Sequence, residues 1–463
     1  MGTSGYHELK NQEFVRVVVH HIGILHVKRK RRKNKMNIEP VKTSIQKVKV
    51  TDILFDTQIY ARMNPDQALI VEYSENIDSI LASGPKIQVA SDMRLIDGYH
   101  RWKAAQTAKG DDFEIDVLVH DTDNSDYIEL TSYAANTKHG QRNSKKENTR
   151  NIQRLYRRGY DIDQIKEHLS LSRAMVNAAT KADRDQEKQE RNDQIISMYL
   201  QAWNTHRSIA DEMDLTKKVV SDVLSKLVLS ATESEKDQNS KKEPFKKFIY
   251  RTWNQKDQDN TTRHFGAFPE IYMQNLLAYC TKPFDIVFDP FGGGGTTVDI
   301  CKEMFRRYYV SDRKVIPGRE NDIRQHDIKE GLPADLQKPD IVFLDPPYWK
   351  QAQGQYSDDG EDLSNMSLES FNASMKKLFD EIGKKKIQRI AIVIQPTQYL
   401  NNWQTVDHTI DFAIMLQKKY VVESRRILPY STQQYNAQMI NKAKEQNDDL
   451  VLHRDLTVFK LRQ

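Results

Sequence analysis

Hydrophobic residues follow different spacings in different parts of the chain. Over residues 45–136, short apolar runs at 87–90, 93–97 and 115–119 alternate with polar residues, which predicts strands. The stretches 77–81 and 99–108 have helical spacing instead. The sequence therefore predicts a mixed α/β domain over residues 45–144.

The strand pattern disappears after residue 145. Ile152, Leu155 and Tyr156 open one helical block, and Ile195, Ile196 and Tyr199 open a second. Each block predicts short helices separated by breaks, which is typical of helix-turn-helix units, so we expect an all-α region over 145–230. Residues 231–244 are almost entirely polar and predict a linker.

Residues 245–463 return to alternating strands and helices. Buried-type strands are predicted at 286–288, 308–310, 341–344 and 390–394, with helical stretches between them. Further strands are expected near 421–427 and 456–459. This order is typical of a parallel sheet covered by helices, so we expect a Rossmann-like α/β domain within a multidomain α/β chain.

The first 35 residues differ from the rest and end in a basic cluster at 28–33. Three interpretations remain open: a disordered extension, an arm that binds nucleic-acid phosphates, or sequence upstream of a natural start at Met36. We predict that residues 1–44 form a disordered basic extension.

Composition narrows the class of protein. The net charge of +5 is compatible with a polyanionic partner. Cys280 and Cys301 are too few for a four-cysteine zinc site, and we expect no metal. No apolar run approaches the roughly 18 residues of a membrane span. We therefore expect a cytoplasmic protein that does not bind membranes.

A glycine-rich turn follows the predicted strand at 286–288 and precedes a helix. Its sequence is Asp289-Pro290-Phe291-Gly292-Gly293-Gly294-Gly295-Thr296-Thr297. Glycines allow close backbone approach to a ligand, and the helix amino-terminus offers free N–H donors. The spacing matches neither the dinucleotide-binding fingerprint nor a P-loop.

A second motif, Asp345-Pro346-Pro347-Tyr348, follows the predicted strand at 341–344. Its carboxylate is expected at the carboxyl end of the sheet, where open α/β sheets bind ligands. The prolines fix the backbone, and the aromatic ring is suited to stacking on a base. Trp349 either extends that stacking surface or is packed in the core.

Together the two motifs resemble S-adenosylmethionine-dependent DNA amino-methyltransferases of the N6-adenine and N4-cytosine kind. The resemblance implies catalytic roles for Asp345, Pro346 and Tyr348, which would hold a flipped base and its amine. It further implies S-adenosylmethionine as the cofactor, without a metal. The cofactor-binding residues it implies are Phe268 (within 264–269), Asp289, Pro290, Phe291, Gly292, Gly294, Thr296, Asp312 (23 residues after Asp289) and Asp327. Asp-Pro-Pro-Tyr favours adenine N6 over cytosine N4.

Motif spacing leaves no room for a target-recognition domain. Only 56 residues separate Asp289 from Asp345, and the stretch after Trp349 has only enough length to finish the sheet. We therefore expect specificity to come from the amino-terminal half. The polar stretch 350–366 is either a substrate loop or disordered.

Residues 95–105 place Gly98, His100 and Arg101 at a strand-to-helix turn, where a helix amino-terminus can bind an anion. This segment resembles the ParB/sulfiredoxin-like fold. Tyr99 stands where sulfiredoxin has its cysteine, which excludes sulfinic-acid reduction. The segment 135–140 resembles the Asn-x-x-His-Gly segment of ParB-like proteins. Three roles for this domain remain open: a switch that binds a CTP-like nucleotide, a contact to phosphate or the DNA backbone, or a scaffold remnant without a ligand.

Residues 208–220 resemble a helix-turn-helix in which Thr216, Lys217 and Lys218 open the recognition helix. Ser172, Arg173 and Asn177 hold the equivalent places in the first block.

We therefore predict a methyltransferase whose amino-terminal modules engage double-stranded DNA. Three alternative hypotheses remain. The protein could methylate cytosine N4, or it could be a ParB-like regulatory or partition protein with an inactive methyltransferase fold. It could also be a nucleotide-gated clamp that methylates DNA as it loads. The target sequence, the oligomeric state and an accompanying restriction enzyme are not predicted.

Overall fold

The computed structural model describes residues 40–60, 66–138, 144–238, 246–254, 268–350, 360–398, 405–430, 437–447 and 449–463. The chain divides into two compact units, with the boundary between Glu190 and Arg191. The first unit contains a four-stranded sheet and the second a seven-stranded sheet. The predicted multidomain α/β class is therefore confirmed. Of the predicted extension, residues 1–39 lie outside the described residues, and strand β1 begins at Thr43.

The amino-terminal unit alternates strands and helices before it becomes entirely helical. Its elements are β1 (Thr43–Lys49), α1 (Gln67–Glu75), α2 (Ile77–Ser83), β2 (Ile87–Ala90), β3 (Leu95–Asp97), α3 (Tyr99–Lys109), β4 (Glu114–His120), α4 (Ser125–Lys138), α5 (Lys145–Arg157), α6 (Ile162–His168) and α7 (Arg173–Ala179). Helix α8 (Lys181–Leu200) contains the boundary between the units.

The sheet of this unit has the order β1-β4-β2-β3, with β2 and β4 parallel and the other pairs antiparallel. Along β4, Ile115, Val117 and Val119 are buried while Glu114 and Asp116 are exposed, as the alternating pattern predicts. Helices α5 to α7 form a separate core with α4. Two of them begin at capping boxes, Ser144 with Glu147 in α5 and Asp161 with Gln164 in α6.

The carboxyl-terminal unit is built around one large sheet. Its elements after α8 are α9 (His206–Met213), α10 (Lys217–Gln238), α11 (Glu270–Cys280), β5 (Ile286–Asp289), α12 (Thr296–Glu303), β6 (Arg307–Asp312), β7 (Ile323–Gln325), β8 (Ile341–Leu344), α13 (Leu368–Lys384), β9 (Arg389–Ile394), β10 (Thr397–Gln398), β11 (Thr405–Val406), α14 (His408–Leu416), β12 (Tyr420–Pro429), α15 (Ala437–Glu445) and β13 (His453–Leu461).

The large sheet has the order β12-β13-β9-β8-β5-β6-β7. Strands β5 to β9 are mutually parallel, whereas β13 runs antiparallel between β9 and β12. Strands β5 and β8 are buried along their whole length, because hydrophobic clusters cover both faces of the sheet. Their carboxyl ends carry Asp289 and Asp345, so the sheet brings the two predicted motifs to the same edge.

The second helical block shares its core with the carboxyl-terminal unit. Leu200, Ile209 and Leu224 are buried in the same cluster as Val287 and Tyr308 of the sheet. The structural boundary after Glu190 thus falls inside the predicted region 145–230. Apolar periodicity identifies which face of a helix is buried, but it does not identify the surface against which that face packs.

The predicted linker over 231–244 begins inside a helix. Helix α10 continues to Gln238, past the last core position, whereas residues 239–245 lie outside the described residues. Glutamate, lysine and glutamine are good helix formers, so a helix that tertiary packing has nucleated continues through them at little cost. Polarity alone was therefore an inadequate signal for the end of this helix.

Within the described ranges, no helix combines the length and the apolar character needed to cross a membrane.

Candidate active site

Asp289, at the carboxyl end of β5, organises the glycine-rich turn. One carboxylate oxygen accepts a hydrogen bond from the Phe291 backbone N–H (2.9 Å), and the other accepts one from the Thr297 hydroxyl (2.6 Å). The side chain is buried, and burial raises its pKa to about 7, against the opposing effect of these two hydrogen bonds. Asp289 therefore acts as a scaffold that joins the two ends of the turn.

The turn packs closely on β6. A Cβ atom at Gly292 would lie 2.6 Å from Cγ1 of Val310 and 3.1 Å from the Ser311 carbonyl oxygen, to which the Gly292 N–H donates. Gly295, the residue before α12, has a φ of 92°, which lies in the left-handed region that favours glycine. The need for glycine at position 292 thus comes from packing of strand against turn as well as from any ligand.

Two further predicted acids lie beside this turn. Asp312, the last residue of β6, accepts hydrogen bonds from the backbone N–H groups of Gly293 and Lys314, both at 3.0 Å. Asp327 follows β7 and accepts one from the Lys329 N–H at 2.9 Å. Both carboxylates are half-buried. A carboxylate has about four lone-pair positions, so each of them retains capacity for a ligand hydroxyl or amine.

Asp345 lies on the other side of β5, at the carboxyl end of β8. The Tyr348 hydroxyl donates to its Oδ1 atom at 3.0 Å. Burial raises the pKa of Asp345 to about 6, while Arg454 and the bond from Tyr348 oppose the rise. Pro346 is buried, and the ring of Tyr348 packs partly against both hydrophobic clusters.

Trp349 belongs to the core. Only 2% of the residue is exposed, and its indole N–H donates to the Met366 carbonyl at 2.8 Å. Of the two sequence interpretations, packing is therefore the one that the structure supports. Within the predicted substrate loop 350–366, residues 351–359 lie outside the described residues.

Three residues of this site were not found from the sequence. Arg454, on β13, has its guanidinium 5.2 Å from the ring centre of Tyr430 and 5.8 Å from that of Phe268. The Tyr430 hydroxyl donates to Gln395 at 2.5 Å. These residues approach Asp345 only through the sheet order, since β13 inserts beside β9, and no local motif marks them. Phe268 itself is buried against Phe343, whereas 264–267 lie outside the described residues.

The arrangement fits a ligand with an adenosine-like part. From β5 the sheet continues to β6 and β7 on one side and to β8 on the other, which is the kind of switch point where open α/β sheets bind ligands. Asp312 and Asp327 lie on the β6 and β7 side and Asp345 on the β8 side. The residues present thus offer two half-buried carboxylates on one side of β5, where they can accept hydrogen bonds from ligand hydroxyls, and a third on the other side.

In the amino-terminal unit, Gly98 precedes α3 with φ of 100°, as a tight strand-to-helix turn requires. The side chains of His100 and Arg101 are both engaged within the protein. His100 Nε2 accepts from the Asp66 N–H at 2.9 Å, and Arg101 contacts the Asp97 carboxylate at 3.2 Å. Asn136 is buried and donates to the Ser132 carbonyl, while residues 139–140 lie outside the described residues.

Helix α9 ends at Met213, and the next residue, Asp214, has a left-handed φ of 52°. Thr216, Lys217 and Lys218 follow it and are exposed at the start of α10. In the first helical block, Ser172 caps α7 through the Met175 N–H, and Arg173 pairs with Asp163 at 2.9 Å. The predicted contact residues of the second block are therefore accessible to a large ligand.

The comparisons with known proteins give one family match. Residues 176–314 match the model of a family described as DNA methylase, from α7 to just after β6. No curated protein matches the chain.

Solved structures give several matches at low identity. A Pnob8-like ParB-N domain has 13% identity and a TM-score of 0.26, covering 30% of this chain and 69% of its own. The ParB protein of Caulobacter crescentus complexed with CTP-γ-S has 16% identity and a TM-score of 0.17, covering 29% and 76%. An rRNA methylase from Streptococcus thermophilus has 14% identity and a TM-score of 0.27, covering 42% and 98%. These TM-scores are too low to assign the fold of either unit.

The family match ends before Asp345 but includes the glycine-rich turn and Asp312. The part of the chain that matches the DNA methylase model therefore contains the predicted cofactor-binding turn.

Proposed function

We propose that this protein methylates DNA, transferring a methyl group from S-adenosylmethionine to the exocyclic amine of a base, with adenine N6 favoured over cytosine N4. The observation that carries the proposal is the position of Asp345 and the glycine-rich turn at the carboxyl ends of the neighbouring strands β8 and β5. The match of residues 176–314 to the DNA methylase family supports the same reaction class.

The residues around the turn would hold the cofactor. Asp312 would bind the ribose hydroxyls and Asp327 the adenine end, while Phe268 and the turn between Asp289 and Thr296 would line the methionine end. When bound, S-adenosylmethionine supplies an electrophilic methyl group on its sulfonium.

The role of Asp345 follows from the chemistry of the amine. The lone pair of an exocyclic amine is delocalised into the base ring, so the amine is a weak nucleophile. A carboxylate that accepts one N–H bond, together with the Pro346 carbonyl that accepts the other, favours a pyramidal nitrogen with a localised lone pair. The hydrogen bond from Tyr348 fixes the Asp345 carboxylate, and the Tyr348 ring offers a face to the flipped base.

The amino-terminal half would engage the DNA. Lys217 and Lys218 are exposed at the beginning of α10, where they can neutralise phosphates. The turn at Gly98 remains a candidate site for the phosphates of DNA or of a CTP-like nucleotide. Its backbone would have to carry most of that contact, because His100 and Arg101 are already engaged with Asp66 and Asp97.

The test is incubation of the full chain with labelled S-adenosylmethionine and mixed-sequence duplex DNA, followed by nucleoside mass spectrometry. We expect N6-methyladenine; N4-methylcytosine would replace the adenine assignment. Asp345→Asn should lower transfer at least about a hundredfold while cofactor binding persists. Unlabelled DNA from the wild-type protein would refute the function, and labelling by Asp345→Asn at close to the wild-type rate would refute the role of that residue.

A further inference from the structure

Arg454 introduces a positive charge into the site that holds Asp345. It is the second residue of β13 and pairs with Leu428 of β12, so the strand backbone fixes its position. The guanidinium acts on the Tyr348 hydroxyl and, electrostatically, on the Asp345 carboxylate. Its Nε atom is shielded from solvent and has no hydrogen-bond partner among the described residues.

Aromatic rings and one amide hold this side chain in place. The rings of Tyr430 and Phe268 lie 5.2 and 5.8 Å from the guanidinium, within the range of cation–π attraction. Gln395 accepts the hydrogen bond of the Tyr430 hydroxyl and thereby fixes that ring. Arg454 acts on Tyr348, and the Tyr348 hydroxyl in turn donates to Asp345 at 3.0 Å.

The titratable groups that act on Asp345 come from its own loop, from β5 and from β13. Tyr348 belongs to the same loop, Asp289 lies at the end of β5, and Arg454 lies near the start of β13. Tyr430, which follows β12, acts on Tyr348 and Arg454. Among the described residues, Arg454 is the cation that acts on the Asp345 carboxylate. Burial disfavours a carboxylate, so this site requires a compensating positive charge if Asp345 is to remain ionised.

We propose that Arg454 is a positioning residue that keeps Asp345 in its charged form and oriented, through Tyr348, toward the target amine. The inference rests on the proposed function for the identity of that amine. A protonated Asp345 has one oxygen that donates, so it can no longer accept amine hydrogens in the required arrangement. Arg454 would therefore set the lowest pH at which the site is competent.

Two substitutions separate the charge of Arg454 from its hydrogen bonding. Arg454→Gln removes the charge but retains a donor toward Tyr348, whereas Arg454→Lys retains the charge. Arg425→Gln is the matched control on the neighbouring strand, because Arg425 pairs with Asp455 at 2.8 Å rather than with Asp345. All three are made in the full chain.

The first readout does not require catalysis. Aspartate labelled with ¹³C at its carboxyl carbon is titrated by NMR in the cofactor-free protein, and the Asp345 signal is identified by its loss in Asp345→Asn. We expect a midpoint near pH 6 in the wild type. In Arg454→Gln it should rise by at least about one pH unit, as is usual when an opposite charge is removed from a carboxylate. Arg454→Lys should recover most of the wild-type midpoint, and Arg425→Gln should keep it.

Methyl transfer provides the second readout. The acid limb of kcat/KM should move upward with the NMR midpoint, so that a rise of one pH unit in Arg454→Gln costs about threefold more activity at pH 6.5 than at pH 8.5. An Asp345 midpoint that stays in place in Arg454→Gln would overturn the inference. Wild-type protein without transferase activity would refute the proposed function instead, and the NMR titration would still decide the role of Arg454.

Discussion

The guanidinium of Arg307 lies 4.4 Å from the centre of the Tyr199 ring, so a residue of β6 grips the end of α8. Arg307 also donates to the carbonyls of Tyr199 at 2.9 Å and Asn204 at 2.8 Å. Next to them, the Ala202 N–H donates to the Tyr308 carbonyl at 2.8 Å. The helical block after Glu190 is thus fastened to the sheet by polar contacts as well as by its apolar face.

Replacing Arg307 by methionine should destabilise the carboxyl-terminal unit by about 2–4 kcal/mol. The substitution leaves three backbone carbonyls without their charged donor and keeps most of the side-chain volume. Thermal or urea unfolding followed by tryptophan fluorescence measures the change. Arg207→Ala serves as the control, because Arg207 and Asp211 are both largely exposed and this change should stay within about 0.5 kcal/mol. Equal effects of the two substitutions would show that the contacts of Arg307 with the helical block do not stabilise the unit.

A fragment of residues 191–463 should fold cooperatively, whereas residues 245–463 alone should not. The shorter fragment lacks Leu200, Ile209 and Leu224, which are all at most 2% exposed in the shared core. Each such side chain contributes roughly 1.5–3 kcal/mol through burial, and removal of several exceeds the stability of a typical domain. Circular dichroism and size-exclusion chromatography report the outcome. A compact, cooperatively unfolding 245–463 fragment would show that the helical block is dispensable.

Alanine at Gly292 should weaken the unit by about 1–3 kcal/mol through overpacking against Val310. The contact is with one methyl group of a side chain, so the double variant Gly292→Ala, Val310→Ala should recover part of the loss. A double-mutant cycle measured by denaturation gives the coupling energy. Gly360→Ala is the control, because no atom lies within 4 Å of its added Cβ. Strict additivity of the two substitutions would mean that the clash with the Ser311 carbonyl decides the cost instead.

We expect the protonation of Asp289 to contribute to the pH dependence of the free energy of unfolding. Its pKa is about 7 in the folded protein, well above the usual value of about 3.9 for an unfolded aspartate. The folded state therefore binds the proton more tightly, and stability falls as the pH rises from about 4 to about 7. Relative to Asp289→Asn, the wild-type Tm should thus be highest near pH 4 and lose its lead toward pH 7. Calorimetry, with exposed Asp380→Asn as control, tests this sign; a lead that grows with pH would contradict it.

The double variant Lys217→Ala, Lys218→Ala should bind duplex DNA more weakly. Two phosphate contacts release about two counterions, so the slope of log K against log salt should become shallower by about 1.8. Fluorescence anisotropy at several salt concentrations measures both effects. Lys226→Ala, an exposed lysine farther along the same helix, is the control. If the salt dependence of binding is unchanged in the double variant, the DNA does not contact Lys217 and Lys218.

Much of the site followed from the sequence because its parts are local. A strand followed by a glycine turn, or by Asp-Pro-Pro-Tyr, can be identified within about ten residues, and the parallel sheet then places Asp289 and Asp345 at one edge. The turn at Gly98 was likewise visible from its neighbours alone, and its left-handed φ agrees with that prediction.

The rest depends on contacts between distant segments. Arg454 reaches Asp345 only because β13 inserts between β9 and β12, and nothing near residue 454 signals that insertion. The helical block over 191–230 has the same periodicity whether it packs on the amino-terminal helices or on the sheet. Strand β7 has only three residues, which is too short for a periodic pattern.

The late position of β13 in the sequence also has a consequence for synthesis on the ribosome. Strand β12 joins the sheet only through β13, and β9 has no neighbour on that side until β13 arrives. While the chain emerges, the open edge of β9 is therefore exposed to pairing with other nascent chains. Arg454 lies on that same strand. Asp345 therefore gains its compensating positive charge only when β13 pairs with β9, so the sheet and the candidate site are completed together, late in synthesis.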